Sequence, residues 1–159
     1  MGFAGVLLLG CSALDLEETE PPPIPEDFPQ LGRTGGGAVE LVVDGERYDD
    51  GATCSHGVSL EGSSVRFELS VALLEISVTG RGLREYSSEW DEVEAEWGVS
   101  PEAFATGPDC GVSRVDFAGA STYEDAFGEA EATWGTVQLV LCNASGERRE
   151  VSGKFSCTL

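Results

Sequence analysis

Val65, Phe67, Leu69 and Val71 alternate with Arg66, Glu68 and Ser70, and Leu74, Ile76 and Val78 carry the same rhythm on to Gly80. A period of two is that of a strand with one buried face and one wet face. Ala38 to Val43 is a further apolar stretch, interrupted by Asp44-Gly45 and resumed at Glu46-Arg47-Tyr48. Asp-Gly between such runs signals a hairpin, because both residues tolerate the left-handed backbone that a two-residue turn needs. Near the end, Val137, Leu139 and Leu141 mark one strand, Val151, Phe155 and Cys157 mark the last, and Ser145-Gly146 joins them. Val112 to Phe117 and Ala130 to Leu141 predict one more hairpin, turning near Ala126.

Residues 86–108 fit two templates. Trp90, Val93 and Trp97 fall on one helical face behind Ser88, a helix-capping residue, while Val93, Ala95 and Trp97 also alternate as a strand. Ser100-Pro101-Glu102 reads as a helix start, with proline accommodated in the first turn and glutamate favoured at the positive end of the dipole. One short helix or turn is therefore expected before Gly107-Pro108. Many short strands, frequent glycine turns and at most one short helix predict an all-β fold, a two-sheet antiparallel β-sandwich.

Composition divides the chain. Residues 1–10 are an apolar leader, residues 11–37 combine acidic residues with Pro21, Pro22, Pro23, Pro25 and Pro29 before Gly35-Gly36-Gly37, and residues 38–159 hold the strand patterns. Prolines and like charges keep the middle segment extended, a tether reaching on the order of 50 to 80 Å. The last part has the size of one domain with a real core, helped by disulfides. A formal net charge of −20 excludes nucleic acid as a partner, because that binding runs on lysine and arginine neutralising phosphates. The same charge repels anionic headgroups, so any membrane contact has to come through a lipid. Lys154 is the only lysine among nine basic residues.

Phe3 to Leu9 is too short to span a bilayer, which takes roughly 20 apolar residues. Leu8-Leu9-Gly10-Cys11 resembles a bacterial lipobox. That resemblance implies removal of residues 1–10, acylation of Cys11 and, with Ser12 next, sorting to the outer membrane. Met1-Gly2-Phe3 offers only the α-amino group where a signal segment carries positive charge, a departure consistent with a start clipped of its basic region. With Cys11 assigned to lipid, Cys54, Cys110, Cys142 and Cys157 remain, an even number that implies two disulfides in an exported domain. A turn at Ser145-Gly146 sets Cys142 near Arg149 and Cys157 near Trp134, so these two cysteines are not partners. The preceding hairpin places Cys110 across from Cys142 and leaves Cys54 with Cys157, one of three connectivities that four cysteines allow.

Chemistry-bearing constellations are sparse. His56, in Cys54-Ser55-His56-Gly57, has hydroxyls nearby, but no Gly-x-Ser-x-Gly elbow occurs, and a nucleophile needs its base oriented in three dimensions. No cofactor is indicated, and the cysteines lack the clustered spacing of a zinc site. Asp44, Glu46, Asp49 and Asp50 offer oxygens suited to Ca²⁺ without matching the spaced calcium loop, so an acidic solvated turn is the plainer reading. Tyr86, Trp90 and Trp97 form either a partner or glycan patch, if exposed together, or part of the core, where Trp134 is also expected.

Val43-Asp44-Gly45, Thr53-Cys54 and the terminal Phe155-Ser156-Cys157-Thr158 loosely resemble small bacterial lipoprotein antigens. The likeness implies a compact surface β domain whose early and late cysteines pair, and it carries no functional residue. The resulting expectation is a lipid-anchored envelope protein acting as a binding or structural interaction module, with an envelope protein or glycan as its partner. Its rivals are an enzyme or enzyme accessory using His56, and a Ca²⁺-stabilised adhesion or carbohydrate-binding module.

Overall fold

The computed structural model describes residues 23–31, 36–58, 65–71, 73–98, 102–125 and 128–158; Cys11 and the rest of residues 1–22 lie outside them. Among the described residues ten strands follow in chain order: β1 (Gly37–Val43), β2 (Glu46–Val58), β3 (Val65–Val71), β4 (Leu74–Gly80), β5 (Glu85–Ser87), β6 (Glu92–Trp97), β7 (Phe104–Ala105), β8 (Arg114–Asp125), β9 (Gly128–Cys142) and β10 (Arg148–Thr158). No helix occurs among the described residues, and Ser100-Pro101 lies outside them. Between the two readings of residues 92–97 the alternating one holds, because β4 pairs Val78 with Val93, Ile76 with Ala95 and Leu74 with Trp97.

The all-β expectation holds, but the two-sheet arrangement does not. All ten strands form one sheet in the order β10-β1-β2-β3-β4-β6-β7-β9-β8-β5, and β10 pairs with β9 as well as β1. The pairings thus run from β10 round to β9 and back to β10, closing the sheet on itself. Alternation along a strand names its buried face; it says nothing about which strands lie at an edge, and here the first and last strands pair. Inside the closed sheet lies one core of Val39, Leu41, Leu69, Leu74, Ile76, Val78, Val115, Val137, Leu139, Leu141, Val151 and Phe155, among others. Phe155 meets Phe117 edge to face at its centre, with ring centroids 5.5 Å apart.

Both expected disulfides are present, Cys54–Cys157 and Cys110–Cys142, with Cα atoms 5.8 Å and 5.6 Å apart. The last hairpin is one residue off the expected register. Cys142 faces Arg148 and Cys157 faces Thr133. Asn143 sets this offset by taking the Ser145 and Glu147 amides on its Oδ1 at 3.1 and 2.9 Å. Cys54–Cys157 crosses the end of β1, which lies between β2 and β10; Gly37 faces Ala52 on one side and Cys157 on the other. A side chain on Gly37 would collide with the Cys54 sulfur. Cys110–Cys142 staples the thinnest part of the wall, where β7 meets β9 at the single pair Ala105–Cys142.

Part of the expected tether is docked. Ile24 and Leu31 are buried with Ala132 in a second apolar cluster, alongside Phe28, Ala38, Tyr123 and Trp134. Ala132 and Trp134 alternate with inward-facing Thr133 and so point outward, which places Trp134 beneath this segment rather than in the core. Lys154 donates to the Asp27 carbonyl at 2.6 Å and lies 5.3 Å over the Phe28 ring. Ser121 donates to the Pro23 carbonyl. Residues 23–31 are therefore a clasp on the outer face of the barrel.

Two expectations follow. Chain-entropy scaling with the 103- and 32-residue separations gives about 4.7 kcal/mol for Cys54–Cys157 and about 3.7 kcal/mol for Cys110–Cys142. Denaturant unfolding of the Cys54→Ser/Cys157→Ser and Cys110→Ser/Cys142→Ser variants should rank in that order, and amide exchange in β7 should rise only in the second. Leu31→Ser should expose the Glu26 bond to a glutamyl endopeptidase while shifting the barrel's own denaturation midpoint little.

Candidate functional site

Inward-facing rows build the core, and at one end of the barrel those rows end in aromatic and charged residues. On β10, Arg149 lies opposite buried Leu141, two positions before buried Val151. Trp97 lies opposite buried Leu74 on β6, and Phe104 faces Trp97 across the β6–β7 pair. Glu46, Tyr48 and Asp50 lie opposite buried Val43, Leu41 and Val39. Here β2 pairs with β1 alone over its first seven residues, since its pairing with β3 begins at Thr53. The β1–β2 hairpin consequently overhangs this end.

Side chains converge beneath the overhang. The Arg149 guanidinium lies 4.5 Å from the Phe104 ring centre and 5.7 Å from that of Trp97, both within cation–π range. Tyr48, 40% exposed, meets Trp97 edge to face at 5.8 Å. Arg149 Nε lies 3.1 Å from Asp44 Oδ2. That contact is an ion pair rather than a hydrogen bond, because the buried Nε finds no acceptor in line with its N–H. Asp44 occupies the hairpin turn at φ 49° with Gly45 at φ 89°, and its Oδ1 accepts the Glu150 amide, which fixes the turn over β10. The Tyr48 hydroxyl donates to Glu46, which raises the phenol's pKa above its ordinary value. Among the described residues the Arg149 Nη groups have no hydrogen-bond partner.

Of the residues the sequence nominated, Tyr86, Trp90 and Trp97 are not brought together. Tyr86 is 2% exposed, packs on Phe117 and donates its hydroxyl to the Gly82 carbonyl. Trp90 is 83% exposed and lies in the turn leading into β6, beyond the opposite end of that strand from Trp97. That turn is well fastened. Arg84 holds Asp91 at 2.5 Å, Asp91 accepts the Ser87 amide, and Ser88 and Ser113 exchange hydrogen bonds.

The four carboxylates considered for Ca²⁺ are also dispersed. Glu46 and Asp50 share the inward row, Asp49 lies on the outer face against Arg47, and Asp44 pairs with Arg149. Among the described residues no group of three or more His, Cys, Asp and Glu side chains is placed to hold a metal. His56 is a β2 strand residue opposite Phe67, and its side chain lies outside the described residues. An open depression on the outer face, lined by Ser70, Glu75, Ser77, Glu94, Glu96 and Thr106, sets Glu75 directly opposite Glu96.

Tyr48, Phe104 and Arg149 were missed as site residues. Tyr48 and Arg149 carried a signal, since each continues an alternating row past its last aliphatic residue. Phe104 carried none, because β7 is two residues long and owes its place to β6 and β9. No family model matches the chain, nor does any curated protein or solved structure.

Asp91 supplies a pH test. Its hydrogen bonds from Arg84, then from the Ser87 amide, hold its carboxyl below the usual carboxylate value. The stabilisation is complete above that usual value and is lost as pH falls through the lowered one. The Trp90 backbone amide order parameter should therefore stay high from neutral pH to about 4 and drop only in stronger acid. Asp91→Asn should show the low value already at pH 7.

Proposed function

We propose that this chain is a cell-envelope protein anchored to the outer membrane by acyl chains on Cys11, and that it is a binding module rather than an enzyme. Its contact surface is the Tyr48–Trp97–Phe104–Arg149 end of the barrel, and its partner is an envelope protein or glycan. One observation supports this reading: Pro23 and Gly36 lie toward the opposite end of the barrel from that surface. The clasp's Pro23 is bonded to Ser121, beside Ala132, and Gly36 exchanges hydrogen bonds with Thr158. Arg149, Asp44 and Phe104 cluster instead near Cys142. From Ala132 to Cys142, β9 spans about 30 Å at strand rise. A domain held at its Thr158 end presents the aromatic end away from the bilayer.

The clasp strengthens the argument. With residues 23–31 docked, the tether of this reading is shortened to the chain before Pro23. The domain is thus held near the membrane with its free end outward. Tyr, Trp and Arg together are the composition of binding hot spots. The enzyme reading has less support, because His56 lies beyond Cys54 on β2, toward the tether end.

Intact mass of the protein from detergent-extracted membranes is the test. A diacyl or triacyl chain beginning at Cys11, gaining four hydrogens when its two disulfides are reduced, is expected. A chain starting at Met1 with free thiols overturns the anchor. In cells, Tyr48→Ala/Trp97→Ala should reproduce the deletion phenotype and His56→Ala should not; the reverse pattern would favour the enzyme.

A further inference from the structure

We propose that the far end of the barrel binds a saccharide bearing a carboxylate, such as a uronic acid, with the Arg149 Nη edge taking the carboxylate and the Trp97 and Tyr48 rings taking the sugar. This rests on the reading that the far end is the contact surface, and it names the ligand class.

Three observations lead to it. First, Arg149 is oriented by its neighbours but is not fully used. Phe104 and Trp97 lie against the guanidinium and Asp44 lies on its Nε side, so the planar fork is oriented while its Nη groups have no hydrogen-bond partner among the described residues. A guanidinium edge of this kind matches a carboxylate in two parallel hydrogen bonds, and its ordering cost is met before the ligand arrives. Second, Trp97 is half-buried and Tyr48 is 40% exposed, so each keeps ring surface open to solvent. Such rings combine an apolar face with a polar handle, which suits a sugar ring whose C–H face is apolar and whose rim is hydroxylated. Third, Glu46 and Asp50 flank Tyr48 on the same inward row and offer acceptors for hydroxyl groups. A protein-binding hot spot is depleted in Asp and Glu, so this polar surround favours a hydroxyl-rich ligand over a protein side chain. A single sugar acid also meets less repulsion than a polyanion would from a chain of net charge −20.

Mature full-length protein in detergent micelles, titrated with sodium D-glucuronate and separately with D-glucose, tests the assignment by NMR. Glucuronate is expected to shift the Trp97 indole and Arg149 Nε–H signals saturably. D-glucose should bind roughly tenfold or more weakly, the least expected when a hydrogen bond to a charged group is lost. Arg149→Lys keeps the charge without the fork and Trp97→Leu keeps apolar bulk; both should lose glucuronate binding while their melting temperatures report folding. Absence of these shifts with glucuronate, or shifts that persist in both variants, overturns the proposal. Equal binding of glucose removes the acidic class and leaves the far end as a contact surface. N-acetylphenylalanine binding tenfold tighter than glucuronate would assign the end to a protein carboxyl terminus and likewise overturn the saccharide. The proposed function fails separately, through the lipid mass or the cellular phenotype of the far-end variants.

Discussion

β10 hydrogen-bonds along both of its edges, to β1 on one side and β9 on the other, and the rest of the molecule is arranged around that pairing. It joins the first strand of the domain to its last hairpin. An open sheet of this length would leave a hydrogen-bonding edge at each end and one apolar face to cover. Here the apolar face curls inward on itself, so Phe155, Leu41, Leu139 and Leu141 are fully buried without a second sheet to meet them. The Cys54–Cys157 bridge locks the same junction, passing over the side-chain-free Gly37.

Closure is uneven around the ring. The β8–β9 and β9–β10 ladders are long, whereas β7 joins β9 through one residue pair beside a disulfide. Arg148 adds a hydrogen bond to the Cys110 carbonyl at that point. This weak sector borders the end where the inward rows finish in Trp97, Phe104 and Arg149. A core residue gains by being surrounded; the last position of an inward row has neighbours on one side only and is left half-wet. Aromatic and guanidinium side chains suit such positions, because each has an apolar body and a polar or charged tip.

The clasp converts a composition into a geometry. A proline-rich acidic segment is expected to be an extended spacer, whereas residues 23–31 contain a turn in which the Phe28 amide donates to the Pro25 carbonyl. Ile24, Phe28 and Leu31 nonetheless find Ala132, Tyr123 and Trp134 on the outer face, and the only lysine of the chain secures them. These few contacts seat residues 23–31 against β8, β9 and β10.

What the sequence by itself determined is local and periodic. The β1–β2 and β3–β4 strands, the Asp44-Gly45 turn and the last hairpin were legible because a strand's buried face repeats every second residue and turn residues declare their backbone needs. The disulfide pairing was legible too, since hairpin register brings Cys110 to Cys142 and leaves Cys54 for Cys157. The candidate site was only partly legible: Trp97 was nominated, but with Tyr86 and Trp90, which the fold sends to the core and to a solvent-exposed turn. Tertiary structure alone decided whether the strands made two sheets or one closed sheet, where Phe104 and Arg149 met, and how residues 23–31 docked. Those outcomes depend on which edges pair across more than a hundred residues, and no local period encodes the partner of an edge.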